Sequence, residues 1–296
     1  MPNRGKWEKY YDLPEIQDVR DKIIDTYTNK LVFIDGPHKY FLDGVEYISV
    51  SEVTHKYKPI DGEQMAENCV KKWQKDQDTS YKYYGMSKEE ILALWKVKSD
   101  HACEFGTNVH AFGESMFYYM TGEPDKVLEE CKEQFDENGP HPLNPQEEAI
   151  VKFWDDLPEN FVPVLAETKV FNRNGTQYAG TFDILFYYVE EPESPKNGLV
   201  IFDYKTNEDL YKNYRGQTLL WPFQDMLDQN ASYYTLQLSL YAIPLQNLGM
   251  KVIGRRLIWV KPDGSYEKVK IENVSDRLRN ALNIPDAQYI IDNSIL

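Results

Sequence analysis

Acidic side chains interrupt three stretches that otherwise have the composition of buried β-strands. Asp183 lies in TFDILF, Asp203 follows the apolar run LVIF, and Glu167 lies in VLAETKV. A carboxylate in an apolar strand is costly unless a partner or a ligand uses its charge. Carboxylate oxygens are also the ligands that Mg²⁺ and Mn²⁺ prefer. The three segments therefore predict a divalent-cation site shared by neighbouring strands.

Lys205 adds a cation to this acidic group. Asp203 and Lys205 are two residues apart, so on one strand their side chains leave the same face. Beside a metal, a lysine can orient the attacking water and relay its proton. Gly180 and Thr181 precede Asp183, and a glycine in a strand permits close backbone approach. Taken alone, the Asp203–Lys205 pair is also open to interpretation as a salt-bridged strand end.

A histidine on a predicted helix completes the set of ligand types. Gly106, His110, Gly113 and Glu114 fall on one stripe of that helix, beside Phe117. Each glycine inside a helix costs roughly 1 kcal/mol against alanine, so two on the histidine stripe indicate close packing or ligand approach. A structural histidine is the alternative. In combination with three acidic strands, we expect His110 to be a metal ligand.

Hydrophobic periodicity and turn residues predict the elements that position these groups. Helices are predicted over residues 14–28, 51–57, 63–75, 100–120, 124–135 and 229–248, and further helices begin at the Ser87–Glu90 capping box and at Asn144–Pro145. Strands are predicted over residues 31–35, 39–43, 45–50, 162–171, 178–188, 198–205 and 251–260, and a loop over 76–86. This order predicts an α/β fold of the α+β type, with a mixed β-sheet flanked by helices. Residues 1–99 are expected to form a mostly helical region with a β-hairpin, packed on a core of residues 100–296.

Composition restricts the classes of protein. Lysine and arginine number 33 against 48 acidic residues, a net charge of −15, which argues against a simple nucleic-acid binder. No run of ~18 apolar residues predicts a membrane span, and the N-terminus lacks the apolar segment of a secretory signal. Cys69, Cys103 and Cys131 are too scattered for a disulfide framework or a zinc site, which fits a reducing cytosol.

Five motifs, in this order and spacing, resemble those of the PD-(D/E)XK nuclease superfamily. They are G-T-x-x-H-x-x-x-E (106–114), E-T-K-V (167–170), Y-A-G-T-F-D (178–183), D-Y-K-T (203–206) and Q-L-S-L-Y-A (237–242). The RecB-like branch, which includes phage exonucleases, CRISPR-associated nucleases and the mitochondrial genome maintenance exonuclease, is the most similar. Residues 38–57 also resemble the segment that precedes the core in phage-type members.

The resemblance implies a restriction-endonuclease-like core and a metal-dependent deoxyribonuclease of the exonuclease type. It implies that Asp183, Asp203 and His110 hold Mg²⁺ or Mn²⁺, that Lys205 orients or activates water, and that Glu167 is an additional catalytic acid. Gln237 and Tyr241 match a Q…Y pair that supports the site, with Gln237 assigned to catalysis and Tyr241 to substrate. An iron–sulfur cluster is not expected, because the four cysteines of iron–sulfur members are missing.

The implied partner is DNA, as a single strand or a duplex end, with replication or recombination proteins as further partners in a bacterial or phage-infected cytosol. The expected contacts are Lys71, Lys72, Lys75, Tyr81, Lys82, Tyr83, Tyr84, Arg255 and Arg256. Interleaved lysine and tyrosine suit phosphate contacts and base stacking. A solvated loop is the alternative for residues 81–84. For the whole chain, the alternative is a non-catalytic binding or DNA-mimicking module, which the acidic charge could serve; the intact Asp183, Asp203 and Lys205 favour catalysis.

Overall fold

The computed structural model describes residues 4–34, 36, 38–213 and 215–288. Its α-helices are α1 Glu8–Tyr11, α2 Pro14–Ile23, α3 Val50–His55, α4 Gly62–Asp76, α5 Lys88–Met120, α6 Pro145–Asp155, α7 Asn230–Asn247 and α8 Ser275–Ala281. Its strands are β1 Leu31–Ile34, β2 Lys39–Leu42, β3 Val45–Ser49, β4 Phe135–Asp136, β5 Gly139–Pro140, β6 Phe161–Asn172, β7 Tyr178–Tyr188, β8 Gly198–Lys205, β9 Val252–Val260 and β10 Tyr266–Lys270. Asp35, the last residue of the predicted first strand, lies outside the described residues.

Eight of the described strands form one mixed sheet in the order β1-β2-β3-β7-β8-β9-β10, with β6 also paired to β7. β3 pairs in parallel with β7, and β8 in parallel with β9, whereas β7 is antiparallel to both β6 and β8. Helices pack on both faces of the sheet. The predicted fold class, an α+β fold with a mixed sheet flanked by helices, is confirmed.

β8 is buried on both faces, as its continuous apolar run LVIF predicts. Leu199 and Ile201 lie in a core with residues of α3, α7 and α8. Val200 and Phe202 lie in a second core with residues of α5 and α6. Strand alternation therefore directs the last carboxylate and lysine of β8 to the α7 face and the tyrosine between them to the α5 face.

The most evident departure from the predicted elements is α5. Two helices were expected, the second starting near Asp100, but one helix runs from Lys88 to Met120. Asp100 does not cap a helix; its carboxylate pairs with Lys96 one turn earlier, at 3.0 Å. No glycine or proline interrupts residues 88–105, so nothing in that segment ends the helix. The predicted boundary between residues 99 and 100 falls inside α5.

Smaller differences occur elsewhere. The segment predicted as a helix over residues 124–135 forms two 3₁₀ turns, Pro124–Lys126 and Glu129–Gln134. β10 and α8 were not predicted. None of the helices in the described part of the chain is both long enough and apolar enough to cross a membrane.

Candidate functional site

The candidate site lies at a gap in the sheet. On one side, β7 pairs with β8 along residues 184–188 and with β3 at residues 178–179. Between these two ladders, residues 180–183 have no strand partner on that side within the described residues. Asp183 stands where β7 separates from β8, and its Oδ2 accepts a hydrogen bond from the Tyr204 backbone N–H at 2.6 Å. The Tyr204 N–H lies beyond the last paired residues of β7 and β8, and the Asp183 carboxylate is its hydrogen-bond partner. This contact fixes the position of the carboxylate.

His110 reaches Asp183 from α5. Its Nδ1 lies 3.2 Å from Asp183 Oδ2. The approach depends on Gly113, because a Cβ atom there would lie 2.5 Å from Cε2 of the Tyr204 ring. Tyr204 is itself held in place, since its hydroxyl accepts a hydrogen bond from Trp154 Nε1 at 3.0 Å. The predicted close packing is confirmed at Gly113. At Gly106 an added Cβ would make only an ordinary contact.

Glu167 faces the same position from β6. The pairs Ala166–Ile184 and Thr168–Phe182 flank it, so the register sets Glu167 opposite Asp183. Its backbone has φ = 42°, a left-handed conformation that is rare for a residue with a side chain. Such conformations cost on the order of 1–3 kcal/mol and persist where surrounding structure enforces them, often at functional sites.

His110, Glu167 and Asp183 form a group that could hold a metal ion. One potential ligand atom from each lies within 4.8 Å of the other two. An imidazole nitrogen with carboxylate oxygens suits Mn²⁺, and the oxygens suit Mg²⁺. The donor types and their convergence therefore fit the divalent cation expected from the sequence.

Burial and the neighbouring charges shift the pKa values of the three carboxylates of the site. Burial, reinforced by the charges of Asp183 and Glu114, raises the pKa of Glu167 well above its usual value. Burial and the charge of Asp183 raise the pKa of Asp203 to about 6. Burial would also raise the pKa of Asp183, but His110, Lys205 and the Tyr204 N–H together outweigh it, so the pKa is lowered. A bound cation would offset this repulsion between buried charges.

Lys205 forms an ion pair with Asp203 on the α7 face. Burial acts to lower the pKa of Lys205, but the charges of Asp203 and Asp183 outweigh it, so the pKa is raised and the ammonium stays protonated. Its Nζ lies 4.7 Å from the centre of the Tyr234 ring, and the Tyr234 hydroxyl donates to Asn207 Oδ1 at 2.5 Å. The cation is therefore held between a carboxylate and an aromatic face.

The Q…Y pair of α7 lies against β7. Gln237 Nε2 donates to the Tyr241 hydroxyl at 3.0 Å. Tyr241 is 4% exposed and packs on Gly180, where an added Cβ would lie 2.7 Å from its ring. The glycine thus allows α7 to approach the open part of β7. Because Tyr241 is buried, its position suits support of the site rather than the substrate contact expected for it.

Arg255 and Arg256, two of the residues expected to contact DNA, are not free on the surface. Arg255 is 3% exposed, and its Nη2 donates to Ser275 Oγ at 3.1 Å, so the expectation of a phosphate contact is wrong for this residue. The cause is its side-chain direction, since Arg255 shares the inner α7 face of the sheet with Leu257. Arg256 is half-buried and donates to the Arg255 carbonyl at 3.0 Å.

The tyrosine-rich segment consists of turns, as the predicted loop over 76–86 requires, and its rings contact one another and the neighbouring helices. Tyr83 stacks edge-on against Tyr81 and Trp95, and its hydroxyl accepts a hydrogen bond from Trp95 Nε1 at 2.8 Å. Tyr84 packs on Trp73, with ring centres 5.6 Å apart. These contacts join α4 to the first half of α5.

Two further residues position the site, Tyr204 and Tyr234, and neither was predicted. Tyr204 had a signal, because the residue between two same-face charges on a buried strand must pack on the other face. Tyr234 lies three residues before Gln237, which is one helical turn. That spacing would have indicated a side chain on the same face of α7.

Comparisons with known proteins give distant likenesses only. No family model matches the chain, and no curated protein sequence matches it. Among solved structures, a candidate exonuclease from Eubacterium rectale is similar at 16% identity and a TM-score of 0.35, over 62% of this chain and 63% of that one. The protein SSO0001 is similar at 13% identity and a TM-score of 0.22, over 43% of this chain and 46% of its own. The chain thus spans less than two thirds of either structure.

Proposed function

We propose that the protein is a divalent-metal-dependent nuclease that hydrolyses phosphodiester bonds in DNA. The convergence of His110, Glu167 and Asp183 at the sheet gap, with the Asp203–Lys205 ion pair on the next strand, carries this proposal. The set combines metal-ligand types with a buried cation, and both have a use in phosphodiester hydrolysis. It also follows the motif order of the PD-(D/E)XK nucleases, and we assign the chain to that class, in its RecB-like branch and as an exonuclease.

In this proposal, Mg²⁺ or Mn²⁺ is held by His110 and Asp183, whose ligand atoms converge with that of Glu167, and Asp203 on the next strand completes the set. When bound, the cation would supply a water of lowered pKa and a counter-charge for the phosphate oxygens. Lys205 orients the attacking water and, because its ammonium stays protonated, stabilises negative charge that develops on the phosphate. The Tyr204 N–H and His110 keep the Asp183 carboxylate in position.

The net charge of −15 favours a second candidate, a non-catalytic module of the same fold that binds proteins or mimics DNA. Such a module has no use for a lysine held beside buried carboxylates. The two candidates differ in one measurable respect, since only the nuclease turns over.

The test is cleavage of 5′- and 3′-labelled DNA, single- and double-stranded, in Mg²⁺, Mn²⁺ or EDTA. We expect metal-dependent cleavage that Asp203→Asn and Lys205→Met each reduce by about a thousandfold or more, because each removes a charge that acts in the transition state. Glu190→Gln is the matched control, since Glu190 forms a more exposed ion pair with Lys196. Cleavage by Lys205→Met at the wild-type rate, or none by the wild type with either metal, would contradict the proposal.

A further inference from the structure

We infer that the helical arm, residues 62–105, holds a single strand of nucleic acid and sets the shortest strand that binds tightly. The arm comprises α4, the aromatic segment and the first half of α5. This inference rests on the proposed function and names the substrate as single-stranded, with a minimum length. Three features of the arm support it: exposure, local charge and a fixed distance to the site.

The exposure of α5 is unusual for a helix of this length. From residue 96 to residue 108 every position is exposed except Gly106, which is half-buried. Val97 is 55% and Phe105 37% exposed on this stretch. A helix of a globular protein normally buries one apolar stripe, but between Ile91 and Val109 no residue of α5 is buried. The stretch runs directly into His110, so a ligand lying along it would reach the candidate site.

Local charge favours an anionic ligand at the centre of the arm. Residues 71–98, the centre of the arm, contain seven lysines and four acidic residues, a net charge of +3. The whole arm, residues 62–105, has a net charge of −1, whereas the rest of the chain carries −14. Lys72 Nζ lies 4.7 Å from the centre of the Tyr81 ring, and Lys82 Nζ lies 5.0 Å from that of Tyr83. Cations set on aromatic rings are suited to phosphates with unstacked bases. Only unpaired bases can stack on protein rings, so the aromatic cluster favours a single strand over a duplex.

The helix fixes the distance between the aromatic cluster and the site. Trp95, which packs on Tyr83, and His110 are on the same helix, 15 residues apart, which corresponds to ~22 Å. At ~3.4 Å per nucleotide in a stacked strand, that distance takes about six or seven nucleotides. A shorter strand can occupy the site or the arm but not both.

The test measures how affinity depends on strand length. Oligo-dT strands of about 3 to 15 nucleotides are bound to Asp203→Asn in Ca²⁺, and anisotropy gives Kd. We expect affinity to rise at least about tenfold between four and eight nucleotides and then level off. Lys72→Ala with Lys82→Ala should remove the rise and leave the four-nucleotide affinity within about twofold. The hydrogen bonds that the Trp73 and Trp95 indoles donate, to the Met86 carbonyl and to the Tyr83 hydroxyl, involve neither lysine.

The matched control is Lys152→Ala with Lys196→Ala, which removes the same charge from two exposed ion pairs outside the arm. It should keep the rise. A rise that is absent in the parent, or equal in both double variants, overturns the inference. Cleavage of the same strands by the wild type in Mn²⁺ separates the two proposals. Cleavage without a length step overturns the role of the arm alone, whereas a length step without any cleavage overturns the nuclease and supports the arm as a binding surface.

Discussion

The site and the arm are stabilised in different ways. At the site, His110 meets a carboxylate 73 residues later in the chain, and Asp183 in turn meets the Tyr204 backbone. In the arm, the aromatic contacts join Trp73 with Tyr84 and Tyr83 with Trp95, partners no more than 12 residues apart. The site therefore depends on packing of the whole sheet, whereas the arm depends on local contacts.

This difference determines how far a substitution should act. A change that moves α5 relative to β8 alters every distance at the site, because the ligands come from different elements. A change in the aromatic cluster can loosen the arm while the sheet stays folded, since local units open at lower free energy than the whole domain.

The largest effect is expected for Gly113→Ala. An added Cβ would lie 2.5 Å from the Tyr204 ring, so the ring, α5 or β8 must move. Strain of this kind costs about 1–3 kcal/mol of unfolding free energy, and misplacement of about 1 Å at a reacting centre can reduce activity about a hundredfold. Thermal or denaturant unfolding and the cleavage assay measure the two losses.

Gly106→Ala is the matched control on the same helix. There the added Cβ would lie 3.5 Å from Thr206 Oγ1, an ordinary contact, and alanine is the better helix former by about 1 kcal/mol. We expect unchanged or slightly higher stability and near-normal cleavage. If the two alanine variants behave alike, the close approach of α5 to Tyr204 does not position the site.

A smaller effect, of opposite sign on stability and activity, is expected at Glu167. Glu167→Gln removes a buried charge, and Glu167→Gly also relieves the positive φ. In EDTA both variants should be more stable than the wild type, glycine most, by about 1–3 kcal/mol for the strain alone. Both should cleave more slowly, because a candidate catalytic carboxylate is lost. A Glu167→Gly protein less stable than wild type in EDTA would contradict the strained site.

The stability of the wild type and of Glu167→Gln should depend on pH in different ways. The folded-state pKa of Glu167 is raised, so the folded protein binds this proton more tightly than the unfolded chain does. Its contribution to stability is therefore present at low pH and is lost as pH rises above the ordinary glutamate pKa. Without metal, the wild type should lose more stability than Glu167→Gln as pH rises from about 4 to 7.

Much of the candidate site could be predicted because its residues break a local rule. Asp183, Asp203 and Glu167 stand out as charges in apolar strands, and Gly113 stands out as a glycine inside a helix. The sheet and its flanking helices follow from the same periodicity. These signals need only the neighbouring residues, so a sequence contains them in full.

The remaining features depend on contacts between distant segments. The burial of Arg255 follows from α8, which packs over that end of β9 and was not predicted. The continuity of α5 was obscured by Ser99 and Asp100, which are cap-forming residues in isolation. The strained φ of Glu167 arises where β6 passes the gap beside Asp183. No local pattern indicates the burial of Arg255 or the strain at Glu167, whereas the continuity of α5 has a local signal, the absence of glycine and proline from residues 88–105.

The smallest effect is expected for Tyr83→Phe in the arm. The variant keeps the ring that packs on Trp95 and Tyr81 but removes the hydroxyl that accepts from Trp95 Nε1 at 2.8 Å. A hydrogen bond of this kind contributes about 0.5–1.5 kcal/mol. The loss should remain in the arm, because these contacts are local. Hydrogen exchange should quicken over residues 80–95, while β7 and β8 keep their protection and short strands are cleaved normally. A matching loss of protection in β7 or β8 would mean that the arm and the site unfold together.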